Sequence, residues 1–170
     1  MKEEFIYYLW ENRLLHLDLK TTDNEEITIL SVGIRNHDSG ADFVNARIKI
    51  GDALWAGQVE IHVRASDWFK HNHHNDANYD SVILHVVYEN DTDSLKIPTL
   101  EIKDKFDLSI FHKYNWFFGS RNSIPCGEFV GGVQNFTLIS WLDRMLVEHL
   151  ENECKELDFK LKNNQYDWEQ

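Results

Sequence analysis

A chain of 170 residues that is 42% hydrophobic is long enough to bury the core of one domain and too apolar for a disordered chain. Its 29 acidic residues outnumber 17 lysines and arginines, and the formal charge of -12 disfavours a nucleic-acid partner, because binding to a phosphate backbone depends on basic side chains. No run approaches the ~18 apolar residues of a membrane span, and the acidic N-terminus does not fit a secretory signal. We therefore expect a cytoplasmic protein that does not bind a membrane.

The first part of the chain predicts one helix followed by three strands. Residues 3–16 have an acidic start and apolar residues near helical spacing. Residues 27–34 are β-branched and predict a strand. Residues 42–50 and 55–64 alternate between apolar and polar side chains, which predicts two strands of a hairpin. In the first of these, the alternation assigns Phe43 to the face opposite Val44, Ala46, Ile48 and Ile50.

The second part of the chain predicts a short helix, two strands and a long helix. Residues 66–74 begin with a serine that can cap a short helix, and residues 81–89 are apolar on both faces, as in a buried central strand. Residues 99–105 predict a short strand after a proline. Residues 106–134 are aromatic, glycine-rich and expected to be irregular. A leucine stripe predicts a long amphipathic helix over residues 137–161.

These elements divide the chain into three parts. We expect an α/β core over residues 1–105, a connection over 106–134 and a helical extension over 135–170. The final residues look like the start of another segment. A C-terminal region that this chain lacks, or a second copy of the chain, would then cover the apolar side of the long helix.

One strand carries an unusual set of polar residues. The stretch GQVEIHVR, residues 57–64, places Glu60, His62 and Arg64 on one face of the strand. A solvated face would explain them. However, the next strand is apolar on both faces, so the sheet has little free face, and a buried glutamate needs a partner or a metal.

The element order over residues 1–90 resembles the αβββαβ core of the PD-(D/E)XK nuclease superfamily, also called the restriction-endonuclease-like fold. In that superfamily, an aspartate at the start of the second strand and an acid-X-lysine motif on the third form the active site. Here Asp42, in the stretch GADF, matches the aspartate, and Glu60-Ile61-His62, in VEIH, matches the second motif with histidine in place of lysine. The resemblance implies a mixed central sheet and metal-dependent hydrolysis of phosphodiester bonds.

The resemblance also implies a role for each of these residues. Asp42, Glu60 and the backbone carbonyl of Ile61 would bind Mg²⁺ or Mn²⁺ through oxygen. His62 would act as a general base, or as a ligand that favours Mn²⁺ or Zn²⁺. Arg64 would contact a phosphate.

A long block is similar to a bacterial family known as Domain of Unknown Function 2851. The residues that carry this similarity are ADFVNARIKIGDALWAGQVEIHVRASDWFKHNHHNDANYDSVILHVVYE, positions 41–89. Members of that family are usually longer, which implies that this chain is the N-terminal part of a longer protein. The family name carries no activity, so the nuclease hypothesis rests on the core motif.

Further residues offer other sites. His71, His73 and Asp76 lie in an asparagine-rich loop and, with His85, could form a Zn²⁺ or Mn²⁺ site, although histidines in such loops are more often solvated. His85 could instead be a core histidine, or could orient His62. A second acid-X-lysine motif, Glu101 to Lys103, has the usual lysine but follows the buried strand, which is the wrong order for the core.

Three functions therefore remain open. The first is a metal-dependent nuclease acting on DNA or RNA. The second is a catalytically inactive binding or scaffold module, which the negative charge and the missing lysine favour. The third is a histidine-based metallohydrolase for a small substrate, which would bind Zn²⁺ tightly.

Overall fold

The structure, a computed structural model, describes residues 1–119, 127–164 and 166. The chain divides into two compact units, Met1–Trp116 and Phe117–Gln170. The first unit contains helices packed on a seven-stranded mixed sheet, and the second contains a long helix. The predicted α/β class and the predicted C-terminal helix are thus both confirmed.

The sheet contains both antiparallel and parallel pairs. Its order is β1-β2-β4-β5-β6-β7, with β3 pairing to β4. The first part, through β5, is antiparallel, whereas β5, β6 and β7 run parallel. Parallel neighbours require a crossover segment, which places the chain between β5 and β6 over one face of the sheet. In chain order the strands are β1 Leu19–Lys20, β2 Glu26–Ser31, β3 Ile34–Arg35, β4 Phe43–Ile50, β5 Ala53–Arg64, β6 Val82–Glu89 and β7 Thr99–Glu101.

The first helix, α1, covers Glu3–Glu11 and is shorter than the predicted 3–16. It ends because Arg13 adopts a left-handed conformation, with φ 52°, that a helix does not allow. Its apolar side contributes some of the most buried residues of the core: Phe5, Ile6, Leu9 and Trp10.

A β-bulge in β4 changes the side of the sheet on which its first residue lies. The pairing of β4 with β5 shifts between Phe43 and Ala46, and Asn45 has φ 59°. Because a bulge inserts one extra residue, Phe43 and Ala46 are both fully buried. The predicted placement of Phe43 opposite Ala46 is therefore wrong, since simple alternation assumes that a strand has no bulge.

The crossover from β5 to β6 contains three short turns of helix rather than the single predicted helix over 66–74. Helix α2 covers only Asp67–Lys70, and 3-10 turns follow at His73–Asn75 and Ala77–Tyr79. The break occurs at Asn72, which has a left-handed φ of 61°. This conformation redirects the chain between His71 and His73.

Strand β6 is buried on both faces from Val82 to Val87, as predicted for 81–89. The adjacent part of β5, from Val59 to His62, is also buried on both faces. Polar side chains on these two strand segments are therefore enclosed by the protein. Strand β7 is shorter than the predicted 99–105 and ends at Glu101.

The predicted irregular connection over 106–134 is partly helical, which corrects the expectation. Helix α3 covers Leu108–Gly119, and α4 covers Gly127–Val130. The backbone amide of Ser109 donates to the Asp107 carboxylate at 2.8 Å, which satisfies one free amide at the start of α3. The residues of α3 that pack against the core lie near helical spacing, and they are Ile110, Phe111 and Tyr114.

The long helix, α5, covers Asn135–Asn163. Several residues of its leucine stripe are exposed, including Leu142, Leu146 and Leu150. Among the described residues, no helix has the length and apolar character needed to cross a membrane. Cys154 is exposed and not in a disulfide, whereas Cys126 lies outside the described residues.

Candidate metal centre

The candidate site lies where the centre of β5 meets α1, β6 and the crossover segment. Glu60 and His62 on β5 are only 5% and 2% exposed. Parallel pairing with β6 places His85 opposite Glu60. The polar face of GQVEIHVR is thus enclosed at these two positions, and the solvated-face explanation does not apply to them.

Three histidines converge at this point. The Nε2 atom of His62 is 3.0 Å from Nδ1 of His71. One ring nitrogen each from His62, His71 and His73 lie within 4.8 Å of one another. Ligands on one zinc ion at about 2.0 Å in a tetrahedron lie roughly 3.3 Å apart. The three nitrogens are therefore close enough together that one ion could lie among them.

The Nε2 atom of His73 is the strongest sign of a missing ligand. It is buried, and among the described residues no group hydrogen-bonds with it. The nearest carboxylate oxygen, Oε1 of Glu60, lies 3.3 Å away without the geometry of a hydrogen bond. A buried polar atom without a partner is costly, and a metal ion would satisfy it.

Glu60 connects the histidines to the acidic part of the site. Its Oε1 is 3.6 Å from Nε2 of His62, and its Oε2 accepts the backbone amide of Asp42 at 3.0 Å. Burial, together with the nearby Asp42 carboxylate, raises the pKa of Glu60 to about 8. A cation beside Glu60 would favour its charged form.

Asp42 lies beside Glu60, so the two acids of the nuclease-like motif are brought together. Its Oδ2 accepts the backbone amide of Ile61 at 2.9 Å, and its Oδ1 accepts the hydroxyl of Tyr7 at 3.0 Å. Burial raises the pKa of Asp42 in spite of these two hydrogen bonds. Both carboxylate oxygens therefore already have a protein donor, which holds Asp42 against β5.

His85 lies behind His62. The Nδ1 of His62 and the Nε2 of His85 are 2.8 Å apart, and His85 is fully buried. Burial lowers the pKa of His62 to about 3 and that of His85 to about 4, so both rings are neutral at neutral pH. If Nε2 of His62 binds a metal, its Nδ1 carries the proton and donates to Nε2 of His85, which fixes the orientation of the His62 ring.

Two aromatic residues of the crossover enclose His73. The ring of Tyr79 stacks on His73 with centroids 3.8 Å apart, and Trp68 contacts it edge-on at 5.3 Å. Trp68 also contacts His85 at 5.4 Å. Burial raises the pKa of Tyr79 to about 12, so it remains a neutral phenol. These rings restrict the orientation of His73.

The sequence reasoning overlooked two residues of α1. Tyr7 donates to Asp42, and burial together with the Asp42 carboxylate raises the pKa of Glu3. Glu3 and Tyr7 are four residues apart and so lie on one face of the helix. The available signal was that Glu3 and Tyr7 share one helix face, apart from the exposed Glu4, Tyr8 and Glu11.

The other residues considered in the sequence have different surroundings. Asp76 accepts the backbone amide of Asn78 at 3.0 Å and so caps a 3-10 turn. Arg64 is exposed at the end of β5. Glu101 accepts the backbone amide of Asn90 at 3.0 Å, and Lys103 pairs with Glu89 at 3.3 Å.

Comparison with known proteins identifies the family. The sequence model of the family described as protein of unknown function (DUF2851) matches residues 3–170. No curated protein matches the chain. No solved structure matches it either.

Proposed function

Since the chain belongs to the DUF2851 family, whose description assigns no activity, we propose from the site that it is a metal-dependent hydrolase. His62, His71 and His73 hold the metal ion in this proposal, and Glu60 lies next to it. The observation that carries it is the convergence of one ring nitrogen each from His62, His71 and His73, together with the buried, unpartnered Nε2 of His73.

The ligand set favours a transition metal. Imidazole nitrogen suits Zn²⁺ and Mn²⁺ better than Mg²⁺, which prefers oxygen. Three protein ligands with an open fourth position are typical of catalytic zinc sites. His71 is exposed whereas His62 is buried, so the cluster is accessible to solvent from the side of His71.

Glu60 is the general base in the proposed reaction. A bound metal ion would polarise the substrate and lower the pKa of a water molecule at the open position. Oε1 of Glu60 is close to two of the three ligands, while the Asp42 amide holds Oε2. The carboxylate is therefore placed to take a proton from that water and later to return it to the leaving group.

A phosphodiester is the bond that we propose is hydrolysed. What supports this is the resemblance of Asp42 and Glu60-Ile61-His62 to the motifs of the nuclease core, together with the parallel pairing of β5 with β6. The net charge of -12 favours a short substrate over a long nucleic acid, since a polyanion would be repelled.

The acidic pair offers a second candidate function, a Mg²⁺-dependent nuclease centred on Asp42 and Glu60. The observation that favours it is the proximity of the two acids, since the backbone amide of Asp42 donates to Oε2 of Glu60 at 3.0 Å. The Asp42 carboxylate also contributes to the raised pKa of Glu60, and a divalent cation would relieve the repulsion between the two carboxylates. The two candidates share Glu60 but differ in the other ligands.

Metal titration by calorimetry separates the two candidates. We expect Zn²⁺ and Mn²⁺ to bind the wild type at a single site, and His71→Ala to weaken this binding at least about 100-fold. His71 suits the test because it is exposed, so its removal leaves the core intact. His16→Ala, which changes an exposed histidine of the loop after α1, is the matched control and should bind like the wild type.

Titration of Mg²⁺ into the wild type, Asp42→Asn and His71→Ala tests the second candidate. If Mg²⁺ binds, Asp42→Asn abolishes that binding and His71→Ala does not, then the acidic pair is the metal site. If the wild type binds none of Zn²⁺, Mn²⁺ and Mg²⁺, both hydrolase proposals fail. Turnover of bis(p-nitrophenyl) phosphate on the same samples tests the reaction.

A further inference from the structure

A cavity lies directly beside the histidine cluster. Its volume is about 400 Å³, within the range of small-molecule sites. His73 contributes to the lining of this cavity and also belongs to the candidate metal centre. A molecule in the cavity would therefore lie next to a metal ion on His73.

The walls of the cavity are suited to a flat apolar group. Trp68, Phe69 and Tyr79 supply aromatic rings, while Leu95 and Ile97 supply aliphatic surface. Except for Phe69, these side chains belong to a small hydrophobic cluster that is separate from the main core. Residues of the crossover and of the loop before β7 thus form a second apolar surface, which also packs on Val82 at the start of β6.

The cavity also contains a positive charge. Lys96 contributes to its lining, and within the described part of the chain no ion pair involves Lys96. The lining also contains the Asp80 carboxylate, so the formal charges of Lys96 and Asp80 cancel. Lys96 offers a cation to the phosphate of a ligand, and Ser94 adds a hydroxyl that could fix its orientation.

We propose that this cavity binds the planar ring of a substrate whose phosphoryl group lies at the histidine cluster. The proposal rests on the proposed function, because it places the scissile bond at the metal. The substrate class is a phosphate ester with one ring system, either a simple aryl group or a nucleoside. The ring would pack between the aromatic and the aliphatic wall, and Lys96 would contribute to binding the phosphate.

Binding experiments on the zinc-loaded full chain test this proposal. The probes are inorganic phosphate, phenyl phosphate and adenosine 5′-monophosphate, each titrated by calorimetry. We expect at least one ring-bearing phosphate to bind about 10-fold more tightly than inorganic phosphate. If phenyl phosphate and adenosine 5′-monophosphate both bind more tightly than inorganic phosphate, the cavity is a general aryl pocket. If only the nucleotide binds more tightly, the cavity is a nucleoside pocket.

A matched pair of variants on one loop tests the location. Ser94→Trp should fill the cavity and remove the preference for ring-bearing phosphates, while the affinity for inorganic phosphate is retained. Ser94 is exposed, so a larger side chain can be accommodated without disturbing the core. Asp93→Trp changes the neighbouring exposed residue, which lines a different cavity, and should retain the preference.

The outcomes distinguish this proposal from the function on which it rests. Zinc binding with equal affinities for all three probes would overturn the cavity proposal and leave the metal centre in place. A preference that survives in Ser94→Trp would also overturn it. If zinc does not bind the wild type, the proposed function and the cavity proposal fail together.

Discussion

The candidate site has two halves that differ in how the fold holds them. Glu60, His62 and His85 lie on adjacent buried strands, and each has a close polar neighbour. His71 and His73 lie on a crossover of short turns, and the first of them is exposed. The comparison teaches that the sheet buries and fixes one half, whereas short turns of the crossover hold the other.

The largest expected effect is the loss of hydrolysis in Glu60→Gln. The amide keeps the size of the carboxylate but cannot accept a proton, so we expect turnover of a phosphodiester to fall by about 10²- to 10⁴-fold. Zinc affinity should change little, because the three histidines remain. Steady-state kinetics with calorimetry on the same sample measure both quantities. Glu26→Gln, on the exposed side of β2, is the control.

Zinc should stabilise the crossover more than the strands. At a free concentration about 100-fold above its dissociation constant, zinc should raise the free energy of unfolding by about 2.7 kcal/mol. Hydrogen exchange should show the gain in protection mainly in residues 66–80. Protection that rises only in β5 and β6 would contradict the difference between the two halves.

The next effect concerns the hydrogen bond behind His62. His85→Ala should weaken zinc binding about 10- to 100-fold, the usual effect of removing the partner of a ligating histidine. His85→Gln offers an amide oxygen that can accept the proton from Nδ1 of His62 and should recover much of the affinity. If both variants bind zinc alike, the effect is one of packing and not of ligand orientation.

The smallest effect is a pH dependence of stability in the metal-free protein. The pKa of Glu60 rises from its ordinary value of 4.5 to about 8 on folding, mainly because of burial. Its contribution to stability is complete below pH 4.5 and is lost as the pH rises through 8. From about pH 7.5 to 8 the free energy of unfolding should fall as the pH rises, by less than about 1.4 kcal/mol per pH unit.

Denaturant unfolding at several pH values measures this slope, and Glu60→Gln should remove it. The window begins about one pH unit above 6.5, the ordinary pKa of histidine, because His62 and His85, whose pKa values burial lowers, are then mostly neutral in both states. An unchanged slope in the variant would assign the dependence to another group.

Much of the buried half of the site could be predicted from local pattern. Alternation in residues 57–64 identified Glu60 and His62, and the apolar run at 81–89 showed that the neighbouring strand is buried. Strand periodicity is a local property, so it can be read from a single sequence. It did not reveal the bulge at Asn45, which depends on the pairing of β4 with β5.

The exposed half could not be predicted in the same way. His71 and His73 were recognised as possible ligands, but their position beside His62 depends on the left-handed Asn72 and on the crossover over the sheet. The contact of Tyr7 with Asp42 joins residues 35 positions apart. Long-range contacts of this kind follow from the packing of α1 on the sheet.

The sequence by itself determined the α/β class, the long C-terminal helix and the chemical character of the strand that carries Glu60 and His62. Those properties follow from composition and periodicity, which act over a few residues. Only the tertiary structure decided which histidines share one centre and that a cavity adjoins it. The physical reason is that a metal site needs convergence of side chains from distant segments, and sheet pairing and crossover geometry set that convergence.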